Sequence, residues 1–160
     1  MVNKKIPKSI SKEEIKNAVL DSRDKSKTKD SYKKFRWFFT SSKKLVIGGK
    51  NAEQNEEIIR QIEKDEEVFH SAKPGSPFVN IKGKANDTDI KQAATFCALK
   101  SHDWRDNQGD VEIHRFNGRD IFKTKGMKMG TFGVRNHKSI VIKKQDILKL
   151  KEKLEKEAGN

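Results

Sequence analysis

Cysteine, proline and long apolar runs are scarce in this chain of 160 residues, which contains one cysteine and three prolines. The single thiol, Cys97, excludes an internal disulfide, and the apolar helical pattern around it predicts a buried side chain. No apolar run approaches the ~20 residues that a membrane-spanning helix needs, and residues 1–8 lack the apolar core of a signal peptide. We therefore expect a cytoplasmic protein that does not associate with membranes.

Residues that bind metals or carry out catalysis are also sparse. The histidines show no H-x-x-x-H spacing and the lone cysteine excludes C-x-x-C, so nothing in the sequence supports a zinc site. Residues 101–103 read Ser-His-Asp, but three consecutive side chains diverge and do not form a triad. An acid–base pair of His70 with Ser76 or a nearby glutamate stays open. We expect no catalytic residue, no metal and no cofactor.

Acidic residues are outnumbered by basic ones, 23 to 36, which gives a net charge of +13 at pH 7. Such a charge attracts polyanions, among them RNA and DNA. The charge is also segregated: residues 23–50 contain ten bases and two acids, and residues 119–144 contain eight bases and one acid. Residues 53–67, by contrast, contain seven acids and two bases. Basic segments that share a face would bind phosphates by releasing counterions, and a solvated lysine surface is the alternative.

Alternating apolar residues predict several short strands. Residues 35–39 and 45–47 are predicted to form a hairpin with Phe35, Trp37 and Phe39 facing the core. A tight turn at Asn117-Gly118 is predicted to join two strands, Val111 to Phe116 and Arg119 to Lys123. Further strands are predicted at residues 68–70, 77–81, 131–135 and 139–142.

Helical periodicity completes the predicted fold. Asn51 and Gln54 form a capping pattern ahead of one helix, and a second helix begins near residue 87 with an apolar face that includes Ile90 and Cys97. We predict an α+β fold, a largely antiparallel sheet packed by these two main helices, with peripheral terminal helices. The predicted organisation is a basic flexible arm with a short helix (1–31), a central domain (32–143) and a Lys/Glu-rich helix (144–160).

Two stretches of sequence carry a resemblance to a known family. Residues 34–41, KFRWFFTS, are followed by LVIGGKNAEQNE at 45–56, and matches continue at His70, at GSPF (75–78) and at KGMKMGTF (125–132). Over residues 32–142 the chain resembles the NFACT-R family in its standalone form. In larger relatives this module is the C-terminal RNA-binding part of ribosome-associated quality-control factors.

Candidate binding residues come from the charge pattern and from the resemblance. The basic segments predict phosphate contacts, and an aromatic ring near them is a candidate for stacking on an unpaired base. The resemblance adds four polar residues, although Asn51 is also explained as a helix cap. The candidates for phosphate are Lys34, Arg36, Lys50, Lys123, Lys125, Lys128 and Arg135. The stacking candidate is Trp104, and the polar candidates are Asn51, Gln54, Asn55 and His70.

The resemblance implies RNA, either tRNA or large-subunit rRNA, as the partner, and an association with the ribosome. Charge alone also permits DNA binding through the same basic face, or a protein partner for the acidic segment. An accessory role in tRNA modification such as thiolation is a further alternative. The expected function is binding to the phosphate backbone of structured RNA in translation or ribosome-associated quality control.

Overall fold

A computed structural model describes residues 30–159, which fall into two units divided after Lys34. The described part of the first unit is a single 3-10 turn, Ser31–Lys34. The predicted basic arm with its short helix lies outside the described residues except for its last two positions. The second unit, Phe35–Asn160, contains the sheet and the helices described below.

An antiparallel sheet of six strands forms the centre of the second unit. Its order is β1-β2-β4-β3-β5-β8, and every neighbouring pair is antiparallel. Two further strands, β6 and β7, form a separate ribbon. The six sheet strands are β1 (Arg36–Phe39), β2 (Leu45–Gly48), β3 (Glu67–Ser71), β4 (Val79–Ile81), β5 (Val111–Asn117) and β8 (Lys138–Ile142). The ribbon strands are β6 (Ile121–Phe122) and β7 (Gly133–Val134).

Four helices flank the strands in the described part of the chain: α1 (Ala52–Gln61), α2 (Asp87–Leu99), α3 (His102–Asn107) and α4 (Lys144–Gly159). The first of the two predicted main helices begins at its predicted cap, Asn51, and the second begins at Asp87, where a start was predicted. Asn51 accepts a hydrogen bond from the Gln54 backbone N–H, and Asn86 forms a reciprocal capping box with Asp89. The predicted α+β fold with a largely antiparallel sheet is confirmed.

The two faces of the sheet differ in what covers them. Helix α2 packs across β3, β4, β5 and β8, and its alanines lie in one buried cluster with residues such as Val46, Phe69 and Val79. Helix α1 contacts β2 and buries Ile58 and Ile62. Because side chains alternate along a strand, the neighbours of that cluster, such as Val68 and His70 beside Phe69, face the other side of the sheet. We call this second side the α1 face.

The C-terminal helix belongs to the core. Ile147 is fully buried and Leu150 is 9% exposed, both within the cluster under α2, and Leu154 packs against its edge. The sequence correctly predicts the stripe of these three residues, but it also predicts that the helix is peripheral. That expectation is corrected for α4, because its stripe completes the cluster that α2 leaves open on this side of the sheet.

Strand β1 has the opposite orientation to the predicted one. Phe38 is buried against Phe96 of α2, with ring centroids 4.7 Å apart, whereas Trp37 and Phe39 are 39% and 42% exposed. The alternation in the sequence correctly groups residues by face. It does not say which face a helix will cover, and α2 covers the face that carries Phe38.

The predicted hairpin at Asn117-Gly118 is wrong. After Asn117 the chain enters a 3-10 turn, Gly118–Asp120, and β6 then pairs with β7 rather than with β5. Both sides of β5 are already occupied, by β3 and by β8. Gly118 is required for close packing and not for a positive φ, since a Cβ there would lie 2.3 Å from the Glu63 carbonyl oxygen.

Within residues 30–159, no helix has both the length and the apolar character needed to cross a lipid bilayer.

Candidate nucleic-acid interface

A cleft of about 400 Å³ opens on the α1 face of the sheet. Five parts of the chain meet there: α1, strand β3, the loop from β3 to β4, strand β5, and the segment that enters and forms β7. All of them except β5 carry motifs resembling NFACT-R. The lining residues are Asn55, His70, Pro74, Gly75, Ser76, Phe78, His114, Phe116, Gly130, Thr131, Phe132 and Val134.

Asn55 ties helix α1 to the floor of the cleft. Its Oδ1 accepts a hydrogen bond from the backbone N–H of Phe78 at 3.2 Å. The approach is close enough to exclude a side chain at position 49, because a Cβ on Gly49 would lie 2.1 Å from the same oxygen. The Gly48-Gly49 pair of the motif is thus needed for packing and brings Asn55 to the cleft.

Gly75 and Ser76 fix the loop from β3 to β4. The Ser76 hydroxyl accepts a hydrogen bond from the Ser71 backbone N–H at 3.0 Å and donates one to the Pro77 carbonyl. Gly75 has φ +90°, and a Cβ there would collide with the His102 ring. Position 75 of this loop therefore requires glycine for two reasons: glycine tolerates a positive φ, and it has no Cβ.

His70 is half-buried in the cleft and uncharged near neutral pH. Its Nδ1 lies 2.8 Å from the Ser71 carbonyl oxygen, so Nδ1 carries the proton that is donated there. Burial lowers the pKa of His70, and the neighbouring His114 lowers it further, against the raising effect of the Ser71 carbonyl. In the neutral ring Nε2 is then a hydrogen-bond acceptor.

Three phenylalanines form the apolar wall. The ring of Phe78 lies 6.4 Å from that of Phe116 and 5.5 Å from that of Phe132, and both contacts are nearly perpendicular. On its other edge Phe78 packs against the His70 ring at 4.6 Å. The wall is a continuous aromatic surface that holds His70 in place.

The turn at the N-terminus of α1 uses its own polar side chains to satisfy its backbone donors. Asn51 caps the helix, as anticipated, and the Gln54 side chain accepts a hydrogen bond from the Lys50 backbone N–H at 2.9 Å. Both backbone donors are therefore used inside the turn. Of the predicted polar set, Asn55 and His70 reach the cleft, whereas Asn51 and Gln54 stabilise the helix end. The Lys50 side chain remains exposed.

Lys123 has a structural role that the sequence did not reveal. Its Nζ lies 2.5 Å from Glu56 Oε2 and donates to the carbonyl oxygens of Lys128 and Thr131 at 2.7 and 3.0 Å. The ammonium group also lies 4.5 Å from the centre of the Phe132 ring. All three of its N–H donors are engaged. We therefore correct the assignment of Lys123 to phosphate binding, because it holds the β6–β7 segment in place.

The other bases of this segment lack a carboxylate partner. Within the described residues, no ion pair involves Lys125, Lys128, Arg135 or Lys138, and all four are exposed. Arg135 lies with its guanidinium 4.7 Å from the Phe122 ring centre. We call these four residues the free basic group. The segment that carries Lys125, Lys128 and Arg135 also supplies Gly130, Thr131, Phe132 and Val134 to the cleft, and Lys138 begins β8.

A second concentration of positive charge lies at the start of β1. Arg36 has a buried Nε for which the described part of the chain provides no hydrogen-bond partner. Lys100 is close enough for Arg36 to lower its pKa, although burial is the larger cause. Two like charges near one another favour an anion between them. Lys34, in the first unit, ends the 3-10 turn and is exposed.

Trp104 is not available for stacking, and this corrects the prediction. It is 4% exposed and belongs to the buried cluster under α2. Its backbone N–H donates to the Ser101 hydroxyl, which caps α3 and donates in turn to the Ala98 carbonyl. The Ser-His-Asp tripeptide is therefore the start of a helix. Cys97 is fully buried, which raises the pKa of its thiol to about 12.

Of the residues that line the cleft, only Asn55 and His70 are among the binding residues predicted from the sequence, and His114 and Phe116 lie outside the stretches that carry the family resemblance. The register of β3 with β5 places His114 directly beside His70, and a third histidine, His137, stacks on His114 at 3.8 Å. Among the described residues, no group of three or more potential ligands is arranged to hold a metal ion. The sequence shows the alternating pattern of β5, but it does not show that β5 pairs with β3.

Comparisons with known proteins agree with this architecture. The C-terminal part of a fibronectin/fibrinogen-binding protein from Streptococcus suis has the same fold, with a TM-score of 0.63 at 22% identity over 72% of this chain and 47% of that one. The archaeal Rqc2 homolog aRqcH of Methanocaldococcus jannaschii is 32% identical over 115 residues, which are 67% of this chain but only 17% of that protein. The family model described as the NFACT protein RNA binding domain matches residues 34–136. This chain therefore belongs to the NFACT RNA-binding domain family.

Proposed function

We propose that this protein binds structured RNA, tRNA or rRNA, through its phosphate backbone, in the cytoplasm and in the context of translation or ribosome-associated quality control. The observation that carries the proposal is the free basic group, Lys125, Lys128, Arg135 and Lys138. These exposed cations have no ion pair with a described residue; Lys125, Lys128 and Arg135 lie on the segment that also lines the cleft, and Lys138 begins β8. Each phosphate contact would release counterions and make affinity fall with salt.

The acidic stretch supports the same proposal. Four of its carboxylates are used internally: Glu56 by Lys123, Asp65 by Arg119, Glu66 by Lys82 and Glu67 by Arg115. An acidic stretch in which four of seven carboxylates are already paired is a weaker docking surface for a basic protein. The same pairing neutralises Lys82, Arg115, Arg119 and Lys123, whereas no ion pair among the described residues involves the free basic group.

We also propose that the function is binding without catalysis. Of the nucleophilic residues, Cys97 is buried with a raised pKa and the Ser101 hydroxyl is used in a cap. A role in tRNA thiolation would therefore require sulfur chemistry by another protein. The archaeal relative named above is an Rqc2 homolog, and this chain spans about a sixth of its length. A ribosomal setting is proposed here from that likeness.

The test is a set of binding titrations over a range of salt concentrations with tRNA, an rRNA hairpin and a DNA duplex. One variant replaces Lys125, Lys128 and Arg135 by alanine. A matched control replaces the exposed residues Lys149, Lys153 and Lys156 of α4 and so removes the same charge elsewhere. We expect the first variant to flatten the slope of log K against log salt by about 0.7 to 0.9 for each phosphate that it no longer binds.

The control separates a local site from general attraction. If both variants lower the affinity equally, net charge alone drives binding and the assignment to the free basic group is wrong. Equal affinity for the DNA duplex and the RNA molecules would contradict the preference for RNA.

A further inference from the structure

The cleft differs from its surroundings in charge. Among the described residues, those that line it include no lysine, arginine, aspartate or glutamate, although Lys125, Lys128 and Arg135 of the free basic group flank its lining residues on the same segment. His114, like His70, has its pKa lowered, first by desolvation and then by a neighbouring histidine, in this case His137. An uncharged cavity beside free cations is poorly suited to a phosphate, which needs opposite charge, and well suited to a neutral group attached to one.

The polar groups in the cleft form a donor and acceptor pair. Because Asn55 Oδ1 accepts from the Phe78 N–H, the opposite end of that amide is fixed as the NH2 donor. No described residue accepts a hydrogen bond from this NH2 group. His70 donates through Nδ1 to the Ser71 carbonyl, which leaves Nε2 as the acceptor of the ring. The cleft thus presents one donor and one acceptor above an aromatic wall.

The dimensions and walls match a planar ligand. A volume of about 400 Å³ lies in the lower part of the range of about 300–1,000 Å³ for small-molecule sites. Of the three rings of the wall, Phe78 and Phe116 are buried and Phe132 is partly exposed, and flat π systems pack on such an accessible ring. A nucleobase combines a flat face with hydrogen-bonding edges and carries a phosphate at a short distance.

We propose that the cleft binds a single unstacked base from a loop, bulge or end of the RNA. The base packs on the Phe132 ring, which Phe78 supports from below, its edge meets the Asn55 amide and the His70 ring, and its flanking phosphates lie toward the free basic group. The proposal rests on the proposed function, which supplies the RNA. It adds a base-dependent contribution to a binding mode that would otherwise depend only on phosphates.

The test fills the cleft without changing any charge. Val134→Phe and Thr131→Phe each add a ring at the cleft, and Thr131 is exposed, so that variant has room to fold. The control, Val141→Phe, repeats the first change on β8 at a residue that is 55% exposed and does not line the cleft. The probes are a single-stranded oligoribonucleotide of about 12 residues and an abasic ribose-phosphate chain of equal length and charge.

We expect the unmodified protein and Val141→Phe to bind the base-containing probe about 10-fold more tightly than the abasic one, the order that stacking of one base contributes. Val134→Phe and Thr131→Phe should bind the two probes equally. If both cleft variants keep the tenfold preference, or if the unmodified protein has none, the base site is refuted while salt-dependent binding of the abasic chain upholds the proposed function. If neither probe binds in a salt-dependent way, the proposed function fails and the base site fails with it.

Discussion

Glu56 and Lys123 are 67 positions apart in the sequence, yet Oε2 of the first lies 2.5 Å from Nζ of the second. The same oxygen accepts the backbone N–H of Gly130 at 2.7 Å. Gly130 in turn sits against α1 so closely that a Cβ would lie 2.7 Å from the Cβ of Ala52. Helix α1 thus holds the segment between β6 and β7 by one carboxylate and one glycine, and this contact forms one wall of the cleft.

Replacing Glu56 by alanine should lower the free energy of unfolding by about 2 kcal/mol, because two hydrogen bonds to a charged group are removed. The hydrogen bond from Lys123 is the largest cause of the lowered pKa of Glu56. Since its pKa is lower in the folded state, the carboxylate stabilises the protein above the unfolded pKa and loses this effect as pH falls through the folded pKa. Urea unfolding at neutral and at strongly acidic pH measures this difference.

The control for this prediction is Glu53→Ala, which removes an exposed carboxylate from the same helix. A loss of stability equal to that of the Glu56 variant would show that helix charge, and not the contact with Lys123, is responsible.

Replacing Gly49 by alanine should destabilise the protein by about 1–3 kcal/mol, the usual effect of overpacking. The added Cβ would displace Asn55 from its bond to Phe78. Gly109→Ala is the matched control, because its nearest neighbour would be 3.9 Å away. Thermal unfolding of both variants measures the difference. Equal midpoints for the two would contradict the close approach of Asn55.

Replacing His70 by asparagine should make the protein less sensitive to mild acid. The pKa of His70 is lowered in the folded state, so below about pH 6.5 the unfolded state binds more protons than the folded state. The free energy of unfolding therefore decreases as the pH decreases. Asparagine keeps a donor for the Ser71 carbonyl but does not titrate. Urea unfolding at about pH 7.5 and about pH 5.5 tests this in both proteins. An identical loss of stability would place the acid sensitivity at another group.

Replacing Ile147 by alanine should lower the free energy of unfolding by about 2–5 kcal/mol, because a fully buried side chain is removed from the core. Leu148→Ala changes the next residue of α4, which is 42% exposed, and should cost less than about 1 kcal/mol. Chemical unfolding of the pair tests whether α4 is part of the cooperative unit. Two equally small effects would return α4 to the peripheral position that the sequence suggested.

Local patterns in the sequence predicted local structure well. Helix α1 begins at the predicted cap, because the Asn51 side chain can satisfy a free N–H group of the first turn. The β1–β2 pair was also predictable, since two apolar stretches are separated by a short polar one. These features need no knowledge of the rest of the chain.

The errors arise where distant parts of the chain decide the outcome. Alternation places Trp37 in the core because it does not indicate which face α2 covers. The local sequence presents Lys123 as a free cation because its partner Glu56 is remote in sequence. Only Asn55 and His70 of the cleft are predictable from the sequence, since His114 and Phe132 join it through strand register and loop packing.

Helix α1 holds the β6–β7 segment near its base, through Lys123 and Gly130. Its tip, from Lys125 to Lys128, contains no fully buried residue and forms no strand of the central sheet. Substitutions or short insertions there should leave the domain folded, because the anchors at Lys123 and Gly130 lie outside the altered stretch. A laboratory library confined to this tip would therefore vary the exposed bases Lys125 and Lys128 on an unchanged scaffold.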